Sequence, residues 1–171
     1  DFLCRQDSLE ELILHGWSEM VFKCLFASDI TETIQFKLKK FSLECEMCFH
    51  VNFSKFFRSQ ASTIKELAIL SYNINFHYYR VILNQFQHLQ KLILPIDWAL
   101  TDERARDIEN CKVKSLKELE LVGGNEDIAT FKTIINIFPN IDTLKCENFT
   151  YFALHGILEN LHNLSYIKLE N

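Results

Sequence analysis

The chain has 171 residues, 48% of them apolar, and a formal net charge of −5 with acids and bases interspersed. That length supports a sizeable core, and no Lys/Arg-rich stripe marks it as a nucleic-acid binder. No apolar run approaches the roughly 18 residues of a membrane span, so neither nucleic acid nor membrane is expected as a partner.

Taken in chain order, the sequence repeats a six-residue frame with apolar residues at positions 1, 4 and 6. The frames open at Leu9, Leu38, Ile64, Leu89, Leu116, Ile141 and Leu164, so the gaps are 29, 26, 25, 27, 25 and 23 residues. Each frame reads as a short strand. In the fifth, Leu119 and Leu121 face one side while Glu118 and Glu120 face the other, the two-residue period of a half-buried strand. Polar pairs precede most frames (Asp7-Ser8, Ser62-Thr63, Gln87-His88, Lys114-Ser115, Pro139-Asn140, His162-Asn163) and read as turns.

Between frames the period changes to that of a helix. Val21, Cys24 and Leu25 mark it after the first strand, and Phe53, Phe56 and Phe57 after the second. Tyr79, Ile82, Leu83 and Phe86 follow the third at i, i+3, i+4 and i+7. After the fourth, Thr101 is an N-cap followed by acids. Ile128, Phe131, Ile134, Ile135 and Phe138 approximate the helical period after the fifth, and Leu154, Ile157, Leu158 and Leu161 repeat it after the sixth.

Strand, turn and helix repeated about seven times predict an α/β fold, a right-handed βα superhelix. One unit cannot cover its own apolar face, so neighbouring units stack into a continuous core. Strands pack about 4.8 Å apart and helices roughly 10 Å apart, which places parallel strands on the concave face and helices on the convex face. The seven in-phase frames resemble leucine-rich repeats over essentially the whole chain, and their length is similar to the repeat region of F-box/leucine-rich-repeat proteins. The family's Asn or Cys at frame position 9 is replaced by Trp17, Glu46, Tyr72, Asp97, Gly124 and Phe149. The polar ladder that those residues supply must therefore have another solution here. Residues 1–171 read as a single repeat array, a segment cut at both ends from a longer one.

Little in the sequence calls for catalysis. Cys4, Cys24, Cys45, Cys48, Cys111 and Cys146 show no disulfide spacing, and Cys45-x-x-Cys48 has no second ligand pair for zinc. His15, His50, His77, His88, His155 and His162 fall in different repeats. Asp102, Glu103 and Asp107 suit helix-end electrostatics better than a carboxylate pair. Gly123-Gly124 is explained by a turn. Neither catalytic, cofactor-binding nor metal residues are assigned, and the chain is read as no enzyme. Sequons at Asn52, Asn148 and Asn163 are the main argument for an extracellular receptor ectodomain. Free thiols favour a cytoplasmic or nuclear location.

The remaining surface is the outward face of the strands, at frame positions 3, 5 and 7. Leu70, Ile93, Pro95 and Val122 form an expected uncovered apolar strip across it, flanked by charge. With Ile13, Lys91, Glu120 and Lys145, and with Trp98 as an anchor on the rim, they make up the expected protein-binding site. The resemblance implies the substrate-receptor part of a cullin-type ubiquitin ligase, with an F-box outside this segment holding the ligase adaptor. A scaffold or inhibitor arc unrelated to ubiquitin is the alternative.

Overall fold

The structure, a computed structural model, describes residues 6–16, 34–44, 51–70, 84–95, 113–123, 136–147 and 161–170, with residues 51–54 described by their backbone alone. Every frame forms a five-residue strand: β1 (Glu11–His15), β2 (Lys40–Glu44), β3 (Glu66–Leu70), β4 (Lys91–Pro95), β5 (Glu118–Val122), β6 (Thr143–Glu147) and β7 (Tyr166–Glu170). One helix is described, α1 (Val51–Gln60), on the segment that carries Phe56 and Phe57. The polar pairs at Ser62-Thr63, Gln87-His88, Lys114-Ser115, Pro139-Asn140 and His162-Asn163 form turns, as expected. Helices expected near Val21, Thr101 and Leu154 fall outside the described residues, as do all six residues at frame position 9.

The chain divides into two compact units, Asp1–His88 and Leu89–Asn171. In the first, β1 pairs with β2 and β2 with β3; in the second, β4, β5, β6 and β7 pair in succession. All these pairings are parallel and follow chain order, the topology of a solenoid. Frame positions align without slip, so Leu12 faces Phe41, and Leu92 faces Leu119. Register is locked because a one-residue shift would turn every core residue to the opposite face.

Burial follows the frame. In the second to sixth repeats, frame positions 1, 4 and 6 are essentially inaccessible, from Leu38, Phe41 and Leu43 to Ile141, Leu144 and Cys146. The residue three places before the frame is buried as well, at Ala61, Phe86, Val113, Phe138 and Leu161. In the first unit, rings complete this seam. Phe41 lies 5.4 Å from Phe56 and 5.7 Å from Phe57, which meets Phe86 edge-on at 5.4 Å. Such tilted and edge-to-face pairs contribute beyond the area that they bury. Cys146 is one of the frame's apolar residues, and burial pushes its thiol up to about 12, so it stays protonated and unreactive at neutral pH.

Two devices join successive repeats. One is a backbone fork, in which the carbonyl at frame position 2 accepts the N–H groups of positions 2 and 3 of the next repeat. Glu10 receives Lys39 and Lys40 at 2.8 and 3.1 Å, and Lys39 receives Lys65 and Glu66. In the second unit, Gln90 receives Lys117 and Glu118, Lys117 receives Asp142 and Thr143, and Asp142 receives Ser165 and Tyr166. The other device is a buried amide. Gln60, at the end of α1, accepts the Leu38 N–H through Oε1 (2.9 Å) and donates from Nε2 to the Phe36 carbonyl (3.2 Å) and to Ser59 Oγ (3.1 Å). All of its polar atoms are therefore satisfied, the condition under which a buried amide is stable.

Candidate functional site

The outward face is formed by alternation within each strand. With side chains at positions 4 and 6 committed to the core, positions 3, 5 and 7 must point the other way. Glycine then turns the chain out of two strands. Gly16 and Gly123, both at frame position 8, have φ of 64° and 76°. That left-handed conformation is strained for any side chain, so either glycine exchanged for alanine would pull on its strand.

In the first unit, the outward face carries Glu11, Ile13 and His15, then Lys40, Ser42 and Glu44, then Glu66, Ala68 and Leu70. Ile13 is 45% exposed beside the short, buried Ser42, whereas Leu70 is half-buried beside Glu44. An ion pair and a hydrogen bond cross the strands on either side of Ile13. Lys40 Nζ lies 2.7 Å from Glu11 Oε1, and His15 Nδ1 lies 2.6 Å from Glu44 Oε2. The hydrogen bond to Glu11 and its charge hold the Lys40 ammonium above its ordinary pKa.

The second unit places Lys91, Ile93 and Pro95 beside Glu118, Glu120 and Val122, in that register. Ile93 and Val122 are half-buried, as the apolar strip requires, but Pro95 is buried. The expectation that Pro95 is an uncovered contact is therefore corrected. Val122 lies beside it in register on β5. Trp98 falls outside the described residues, and Leu70 belongs to the other unit. What the second unit brings together is Ile93 and Val122 with the charges below them.

Those charges are tied to one another. Glu118 Oε1 accepts from both Lys91 Nζ (2.8 Å) and Lys145 Nζ (2.5 Å), and Lys145 also lies 4.0 Å from Glu120. Partial burial pushes the Glu118 carboxyl up, but the hydrogen bonds and charges of Lys145 and Lys91 outweigh it and hold the group below its ordinary pKa. The same hydrogen bond raises Lys145. A carboxylate with a lowered folded pKa adds stability that is complete above its unfolded pKa and is lost as the pH falls through the folded one. In urea unfolding, the parent's advantage over Glu118→Gln should be full at about pH 7 and shrink on acidification below the carboxylate range. An advantage that does not change between about pH 7 and pH 2.5 would remove Glu118 from this role.

Sequence reasoning picked out Lys91, Glu120 and Lys145 as flanking charges but missed Glu118, the residue that joins two of them. Its position opposite Lys91 was implicit in the 27-residue spacing of two frames. Gln60 was also missed. The signal was its place at i+7 from Phe53, on the same helical stripe as Phe56 and Phe57.

Among the described residues, no cluster of His, Cys, Asp and Glu is arranged to hold a metal, and no helix is long and apolar enough to cross a membrane. No family model matches the chain, and none of the curated proteins matches it.

Proposed function

We propose that the chain is a leucine-rich-repeat module of the βα type that binds a partner protein through the outward face of its strands. One observation carries this reading. The second to sixth repeats commit positions 1, 4 and 6 to a tight core, and the outward face of the sheet presents aliphatic side chains at positions 5 and 7: Ile13 in one unit, Ile93 and Val122 in the other. Half-buried aliphatics rimmed by charge are the usual anatomy of a recognition patch. The internally paired Lys91, Glu118 and Lys145 leave a low net charge beneath that patch, which reduces the desolvation that a partner must overcome. The helical character of α1, and of the backbone at 84–85 and 136–137 just before turns, supports a helix between strands as the repeating unit.

The narrower reading is a substrate receptor of a cullin-type ubiquitin ligase, in the cytoplasm or nucleus. It rests on the resemblance of the frames alone. Affinity capture from the native source tests both levels. The parent should retain a partner that Ile93→Glu loses, while Lys65→Glu, at an exposed position 2, keeps it. All three proteins should show the same circular dichroism spectrum. Cullin-type ligase subunits captured with the full-length protein support the narrower reading, and their absence overturns it. Equal retention by Ile93→Glu and the parent overturns the outward face as the site.

A further inference from the structure

Among the described residues, every charge on the outward face of the second unit but one lies against an opposite charge. Lys91 and Lys145 meet at Glu118, Lys145 also lies 4.0 Å from Glu120, and Lys168 Nζ lies 2.5 Å from Glu170 Oε1. Glu147, at position 7 of β6, is the exception. Its register neighbour on β7 is Glu170, and like charges directly opposite each other are unfavourable. Lys168 answers Glu170 from within its own strand and leaves Glu147 unanswered. Glu147 is also half-buried, so part of its hydration is already lost.

The unmatched carboxylate borders the apolar patch. Leu121 faces Cys146, so the residues that follow them, Val122 and Glu147, come side by side. On its other flank Val122 faces the buried Pro95, and Ile93 is its diagonal neighbour on β4, within reach of one large side chain. Strands β5 and β6 each pair on both sides, so the exposure of Val122 and Glu147 is not that of a sheet edge. An occupant must bring an apolar side chain for Ile93 and Val122 and a cation for Glu147. Arginine suits this place better than lysine. Its planar fork can donate two parallel hydrogen bonds to one carboxylate, and it gives up its hydration more readily. Its stem can lie along Val122 while the head reaches Glu147.

We propose, on the reading of this face as the binding surface, that it takes a segment of a partner protein in which an arginine adjoins an apolar side chain. The apolar group covers Ile93 and Val122, and the guanidinium pairs with Glu147. The net charge of −5 steers a basic segment toward the protein. It also makes a second copy of this chain a poorer occupant, because two such copies repel.

The probe is a displayed library of random short peptides, selected on the purified protein. Peptides that bind the parent but not Ile93→Glu should carry arginine beside Leu, Ile, Val or Phe far above its share of the library. Changing that arginine to glutamine should weaken binding to the parent about tenfold, within the range of a hydrogen bond to a charged group. Against Glu147→Gln the same change should cost little, because the partner of the guanidinium is already gone. Glu147→Gln removes a like-charge contact and should give the parent's circular dichroism spectrum. Peptides that depend on Ile93 but lack arginine overturn the proposal and leave the face standing as a binding surface. So does an arginine whose loss costs as much against Glu147→Gln as against the parent. If no selected peptide depends on Ile93, the proposal falls, and affinity capture with Ile93→Glu decides the broader reading separately. A dimer of the parent that Ile93→Glu dissociates assigns the face to a second copy and also overturns the proposal.

Discussion

Leu119→Ala should destabilise the second unit by about 2–5 kcal/mol, the range for truncating a leucine in a core that cannot collapse around the gap. Leu119 is fully buried at frame position 4 and lies in register with Leu92 on one side and Leu144 on the other. Both neighbours are held by strand pairing, so the backbone cannot close the cavity. The same frame position in β7 provides the control. Ile167→Ala removes the same number of carbons, yet Ile167 is 37% exposed, so its loss should cost about 1 kcal/mol or less. Urea unfolding of the two variants checks the pair. Equal costs would mean that burial along the frame does not set the energetics of these strands.

Gln60→Leu should destabilise the first unit by about 1–3 kcal/mol for each backbone group that it orphans. Leucine nearly preserves volume, so the substitution isolates the hydrogen bonds from the packing. What it leaves behind are the Leu38 N–H and the Phe36 carbonyl, on residues with no exposed surface. Unmade hydrogen bonds at buried peptide groups are among the costlier single losses available to a small domain. Denaturant unfolding measures the loss. A variant as stable as the parent would show that water or a shifted backbone satisfies those groups.

The strands were legible in the sequence because their signal is local and repeated. Seven frames in phase give the same answer at Leu38, Ile64, Leu89, Leu116 and Ile141, and each is buried as read. What escaped depends on cross-strand partners. Glu118 looks like any solvated glutamate until the register places Lys91 on one flank and Lys145 near the other. Pro95 looks exposed by alternation alone, because alternation fixes the direction of a side chain and not its burial. Gln60 was hidden for a different reason. A polar residue on an apolar stripe is read as a blemish, whereas here its amide replaces peptide partners that no neighbouring strand could reach. The resemblance also set the problem of the missing polar residues at frame position 9. Its answer lies outside the described residues, whereas Gln60 serves backbone groups at the entry to a strand.

The fork at frame position 2 bears on how such a chain can diverge. It is made wholly of peptide groups, and the residues whose carbonyls form it are Glu10, Lys39, Gln90, Lys117 and Asp142, two acids, two bases and an amide. The joint between repeats thus places no demand on the side chain at that position beyond excluding proline, which has no N–H to donate. Since side chains at positions 3, 5 and 7 face away from the core, much of each strand's outward chemistry can be rewritten while the scaffold stays fixed, the buried Ser42 and Pro95 being exceptions. A repeat built this way separates the residues that hold it together from those that decide what it recognises, so new specificity can accumulate one strand at a time without passing through an unfolded ancestor.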